Sequence, residues 1–200
     1  MTRGAKCAGL SASVVVVVAL VAGCTGSDPD PEPTPTAAVE SPSPSASPSP
    51  EVTADALTPP VRPPEMDQDD EAGAAAAARY FLELHMYVMA TGDLSEWDMV
   101  TWDQCESCAA IRSEVNRVYS AGGHFAPSEI EFARVESGPQ HEALGGFPVE
   151  VDYVLSAGAE YDAAGVEVAT GVEESGTLAV DVLRQPGGWT LMGLNSGAGA

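Results

Sequence analysis

A chain of 200 residues with 30 Asp+Glu against 8 Lys+Arg carries a formal net charge of −22, a field that repels nucleic acid and anionic lipid headgroups. Twelve of its 16 prolines fall between Pro29 and Pro64, so that stretch is neither helix nor central strand. What is left, about 130 residues, is enough for one hydrophobic core and too little for two.

The first element is an address. Arg3 and Lys6 precede Ala8–Gly23, a run without charge that includes Val14–Val18. Sixteen uncharged residues fall short of the about 20 that a membrane-spanning helix needs. They fit the basic and apolar regions of a secretory signal over residues 1–23. The end of the run, Leu20-Val21-Ala22-Gly23-Cys24, resembles the lipobox of bacterial lipoproteins. That resemblance implies cleavage before Cys24 and a diacylglycerol on its sulfur, where two or three acyl chains hold a protein that a single chain holds only marginally. Cleavage removes Arg3 and Lys6 and no acid, which takes the net charge from −22 two units lower, to −24. The expected location is the extracytoplasmic face of the cell membrane, with the lipid as the contact to the bilayer.

Residues 24–69 read as a tether. Asp28-Pro29-Asp30-Pro31-Glu32-Pro33-Thr34-Pro35-Thr36 leads to a Ser-Pro repeat over residues 41–50. Proline at every second or third position fixes φ, removes donors and favours polyproline II. Few apolar side chains are present to offset the entropy of ordering, so the segment is expected to stay disordered. At about 3.1 Å per residue it could reach roughly 140 Å, a span suited to a cell-wall layer.

A globular domain is expected over residues 70–195, with 196–200 as a flexible tail. Asp67-Gln68-Asp69-Asp70-Glu71 places acids where a helix N-terminus favours them. Ala74, Ala77, Ala78, Phe81, Leu84 and Val88 recur at helical spacing, while Leu82, Met86 and Met89 form a second apolar stripe. A helix apolar on most sides packs against both a sheet and another helix. Gly92 stops it. Asp93 is expected to cap a short helix running through Trp97, and Cys105 to start a third helix whose one face holds Cys105, Cys108, Ile111 or Arg112, Val115 and Val118, ended by Gly122-Gly123. The pattern then turns twofold. Ile130–Glu136 is one strand; Phe147, Val149, Val151, Tyr153 and Leu155 mark the inner face of a second. Leu178, Val180 and Val182 mark a third, and Gln185-Pro186-Gly187-Gly188 turns the chain into a last strand, Trp189–Leu194. Helices followed by four or more antiparallel strands give an α+β domain, with the helices on one face of a curved sheet.

Several short runs together resemble a family of actinobacterial lipoproteins of unknown function that carry a conical domain like nuclear transport factor 2. They are Pro63-Pro64-Glu65-Met66, Arg79-Tyr80-Phe81, Ala90-Thr91-Gly92-Asp93, Cys105-x-x-Cys108, Gly122-Gly123 and Gly187-Gly188-Trp189, within about residues 60–195. The resemblance implies export and the cone; it implies no activity. Cones of this type often keep a pocket between the first helix and the sheet. Tyr80, His85, Tyr87, Trp97 and Trp102 are candidates to line it, against the plainer reading that they fill the core.

The sharpest chemical motif is Cys105-Glu106-Ser107-Cys108. At a helix start a thiol is acidified, which suits disulfide exchange. Outside the cytoplasm, two thiols this close also tend to pair as a structural disulfide. The latter is preferred, because no buried strand of a thioredoxin-type unit precedes Cys105 and Glu106 disfavours a thiolate. A zinc site needs four ligands, and one C-x-x-C with unpaired His85, His124 and His141 does not supply them, so neither metal nor cofactor is expected. The functional expectation is a non-enzymatic binding or interaction module, taking an extracytoplasmic protein or a small molecule. The alternatives are a pocket enzyme of cyclase or isomerase type and a C-x-x-C thiol–disulfide protein. Replacing Cys24 by Ala is expected to abolish lipid labelling and move the protein out of the membrane fraction; unlabelled wild type retained equally by membranes would overturn the anchor.

Overall fold

In the computed structural model, residues 57–196 are described. The expected signal peptide, Cys24 and the expected tether as far as residue 56 lie outside the described residues, as does the end of the expected tail. The chain begins to pack before residue 70, earlier than composition suggested. A 3-10 turn, Pro64–Asp67, buries Met66, whose carbonyl accepts from Trp189 Nε1 at 2.9 Å. Asp69 pairs with Arg184. The polar, proline-rich character of residues 60–69 hid one apolar anchor, and the expected tether boundary at 69 moves back accordingly.

Helix α1, Glu71–Thr91, starts at Asp70, whose Oδ1 accepts from the Ala72 and Gly73 amides at 3.0 Å each. It ends at Gly92, where φ of 74° and the tight approach of the Tyr119 ring both require the absence of a Cβ. Its buried face carries Ala74, Ala77, Ala78, Phe81, Leu84 and Val88, as the spacing predicts. The short helix α2 covers Trp97–Val100, so it starts at Trp97 and does not run up to it. Asp93 caps a turn instead: its Oδ1 accepts from Ser95 N at 3.0 Å while Tyr87 donates to its other oxygen. Helix α3, Glu106–Ser120, buries Cys108, Val115 and Val118.

Two antiparallel sheets follow. The larger has the order β2 (Ile130–Ser137), β3 (Gly146–Leu155), β6 (Glu174–Gln185), β7 (Gly188–Ser196). Its register places Phe147 opposite Val182, Val149 opposite Val180 and Val182 opposite Leu191, so these side chains share the face that α1 covers. Trp189 closes one end of that core, edge-on to Phe147 at 5.6 Å between centroids. The smaller sheet has the order β1 (His124–Phe125), β4 (Ala159–Tyr161), β5 (Glu167–Thr170). No part of it was anticipated, because its strands are two to four residues long and β5 is exposed throughout. The result is an α+β domain with N-terminal helices on antiparallel sheets. Among the described residues no helix is long and apolar enough to cross a membrane.

Phe81 and Trp97 are fully buried, whereas Trp102 remains 39% exposed. Truncating Phe81 or Trp97 to Ala is therefore expected to cost about 3–5 kcal/mol in urea unfolding. Trp102→Ala should cost less than about 1 kcal/mol, and equal losses at all three would contradict this placement of the core.

Candidate functional site

The second apolar stripe of α1 outruns the sheet. Met86 and Met89, together with His85, form one wall of a cleft of about 440 Å³. The facing wall comes from Phe125, Ala126 and Ser128 at the end of β1 and beyond it, Leu155, Ser156, Gly158, Ala159 and Glu160 around the β3–β4 connection, and Ala169, Thr170, Gly171, Val172 and Glu174 around the β5–β6 connection. The last two connections touch: Gly171 N donates to Gly158 O at 2.7 Å. A Cβ on Gly158 would stand 2.5 Å from Ser128 Oγ, so glycine there keeps both the contact and the Ser128 hydroxyl in place.

Most polar side chains of this wall are already engaged. Glu160 accepts two hydrogen bonds from Arg117, at 3.0 and 2.7 Å. Glu174 accepts from the Tyr153 hydroxyl at 2.6 Å, a bond that, with burial, pushes the phenol up to about 12. Ser156 Oγ accepts from Glu129 N, and Thr170 donates to Glu167. His85 and Ser128 have no hydrogen-bond partner among the described residues, yet no buried polar atom is left unsatisfied, so the His85 nitrogens keep access through the cleft. The His85 ring retains part of its surface there while protein crowds its other sides, including Trp97 at 5.9 Å between centroids. That desolvation lowers its pKa from 6.5 to about 4, and the imidazole is neutral near pH 7. No lysine or arginine is among the described residues that line the cleft.

Residues 51–195 match DUF6318, a family of unknown function. The chain belongs to the DUF6318 family. No curated protein matches it. Among solved structures it is similar to the intermembrane-space region of the chloroplast protein ARC6, at 11% identity and a TM-score of 0.46, over 62% of this chain and 95% of that one. It is also similar to the Kfla4162 protein from Kribbella flavida, at 14% identity and a TM-score of 0.37, over 65% of this chain and 94% of that one.

Of the five aromatic and histidine candidates, His85 lines the cleft of this DUF6318 domain. Tyr80 lies in the core and donates to Glu96; burial first, and that bond second, raise its pKa. Tyr87 donates to Asp93 at 3.1 Å. Trp97 is buried, its Nε1 donating to Cys108 O at 3.3 Å. Trp102 borders a separate hollow of about 310 Å³ with His141, Leu144, Pro148 and Met192. Sequence reasoning singled out Met86 and Met89 only as packing, and missed Phe125 and the β4–β5 hairpin. Asp162 and Gly165 signalled that hairpin: Asp162 Oδ1 accepts from Ala164 N and Val166 N, and Gly165 has φ of 76°.

Cys105 and Cys108 form a disulfide with Cα atoms 5.2 Å apart. At 2% and 1% exposure neither sulfur offers a path to an attacking thiolate, which weighs against exchange chemistry. Among the described residues no group of three or more His, Cys, Asp or Glu side chains could hold a metal ion.

Because burial favours the neutral His85 ring, the unfolded chain takes up this proton near its ordinary 6.5 and the folded chain only near 4. The stability this group confers is complete above pH 6.5 and is lost as pH falls toward 4. Between pH 7 and 4.5, wild type should lose about 2 kcal/mol more than His85→Gln in urea unfolding, after discounting for the ring's opening to the cleft. Equal losses would show that the ring is well solvated.

Proposed function

We propose that this domain is a binding module that holds a small molecule in the cleft between α1 and the β4–β5 hairpin. In this reading it is displayed on the extracytoplasmic face of the membrane by lipid on Cys24, and its α+β architecture is the conical type of nuclear transport factor 2. The observation that carries the reading is the cleft itself: a concavity of about 440 Å³, within the usual size of small-molecule sites. It has an apolar lining with two polar side chains uncommitted. The lipobox-like run ending at Cys24 and the proline-rich spacer support the location.

His85 also separates this reading from a cyclase- or isomerase-type enzyme. With its pKa lowered to about 4, the ring is a weak proton acceptor near neutrality, whereas an effective general base is tuned close to the working pH. No carboxylate among the described residues hydrogen-bonds the ring to orient it for proton transfer. A neutral imidazole instead offers one donor and one acceptor to a bound molecule.

The test is a titration with Nile red, an uncharged apolar dye, using the full chain carrying Cys24→Ala so that no acyl chain competes. Saturable binding with a blue-shifted emission is expected. Ala169→Trp, which fills the cleft, should weaken it at least about tenfold, a loss of about 1.4 kcal/mol. Trp102→Ala, in the other hollow, should leave binding unchanged. Equal binding by wild type and Ala169→Trp would sink the proposal.

A further inference from the structure

The cleft's chemistry narrows what it can take, given the binding reading above. We infer that its ligand is largely apolar and carries no negative charge, with hydroxyl or carbonyl groups that meet His85 and Ser128.

The apolar part follows from the walls. Met86, Met89, Phe125, Leu155, Ala169 and Val172 supply the lining, and methionines adapt to irregular apolar shapes. The polar part follows from which groups are uncommitted. His85, neutral, has one donor and one acceptor; the Ser128 hydroxyl has both. Neither has a hydrogen-bond partner among the described residues, while Ser156 and Thr170 on the same wall do. A hydroxyl or carbonyl satisfies such groups without bringing a charge into the apolar space.

Anions are excluded by charge. Glu160 and Glu174 both line the cleft. Arg117 is held between Glu160 and Glu114 by four hydrogen bonds, which leave one N–H and no paired contact for a ligand carboxylate. An anion placed here would lose its hydration beside two carboxylates and gain no counter-ion, a costly arrangement. Cations are not excluded in the same way: Glu160 is paired with Arg117, but Glu174 accepts from the Tyr153 phenol at 2.6 Å, a neutral donor that leaves this carboxylate without a counter-ion.

Displacement of Nile red from the full Cys24→Ala chain by decanol and decanoate tests the inference, with Ala169→Trp as the background. Decanol should displace the dye at concentrations at least about tenfold lower than decanoate, as expected if desolvating the negative charge is uncompensated. His85→Phe keeps the apolar volume and should raise the decanol concentration needed by about threefold to tenfold, the range of one lost hydrogen bond, while dye binding persists. Should His85→Phe unfold, Ser128→Ala is read in the same way. Decanoate competing as well as decanol would overturn the ligand class and leave the binding reading standing. An unchanged decanol response in both variants would overturn the polar contact. Absence of saturable dye binding would remove both readings together.

Discussion

Helix α1 has to bury apolar surface on two sides, and the domain is arranged around that requirement. On one side Ala74, Ala77 and Ala78 are small enough to bring the helix close to the large sheet, and Phe81, Leu84 and Val88 fill the space beyond them. Full burial of such a side chain stabilises by about 1.5–3 kcal/mol, so this stripe sets the position of the helix. The other stripe is incompletely covered. Leu82 is buried, but Met86 and Met89 run past the large sheet and are met by the small one, which reaches α1 through β1. Three strands of two to four residues cannot close over a helix face. The cleft is what remains between them.

A second constraint ties the short helices to the last strand. Trp102 N donates to Leu191 O at 2.9 Å, and Thr101 forms a parallel bridge with Leu191, which covers the edge of β7. Ser107, between the two cysteines of the Cys105–Cys108 disulfide, accepts at Oγ from Leu194 N at 2.9 Å. A loop this short restrains the unfolded chain by only about 2 kcal/mol. Its greater effect is local: it holds the start of α3 so that Ser107 meets β7 and the Cys108 carbonyl meets Trp97 Nε1.

These two constraints explain which parts were readable from sequence. The core face of α1, the inner face of α3 and the alternation of β3 are written as periodicity, because each is buried on one side over three or more repeats. Gly92 and the turn before Trp189 are written as backbone requirements. The start of α2 was misread because Asp93 is equally suited to capping a turn or a helix, and a four-residue helix has no period to decide between them. Met66 was missed as a single apolar residue among prolines and acids. The cleft was half legible: the Met86–Met89 stripe was visible, but its partner wall is a set of connections that no periodicity marks. Tyr80 and Trp97, read as possible pocket residues, went to the core because their polar tips find Glu96 and Cys108 O there.

Charge shapes the site as much as packing does. With Arg3 and Lys6 outside the described residues, the chain's remaining six basic residues are arginines, and each has a partner. Arg112, Arg117, Arg134 and Arg184 pair with carboxylates, while Arg62 and Arg79 lie over Tyr80 and Phe132. Exposed pairs of this kind contribute little stability, about 0–1 kcal/mol each. Their consequence is for recognition, since they leave no unpartnered arginine on the domain while most acids face solvent. An approaching anion meets a repulsive field outside and no cation within the cleft. An approaching cation is attracted to the surface in general and at the cleft meets Glu174, to which the neutral Tyr153 phenol supplies no counter-ion. Selection among uncharged molecules then rests on shape, apolar contact and the two neutral polar groups, His85 and Ser128.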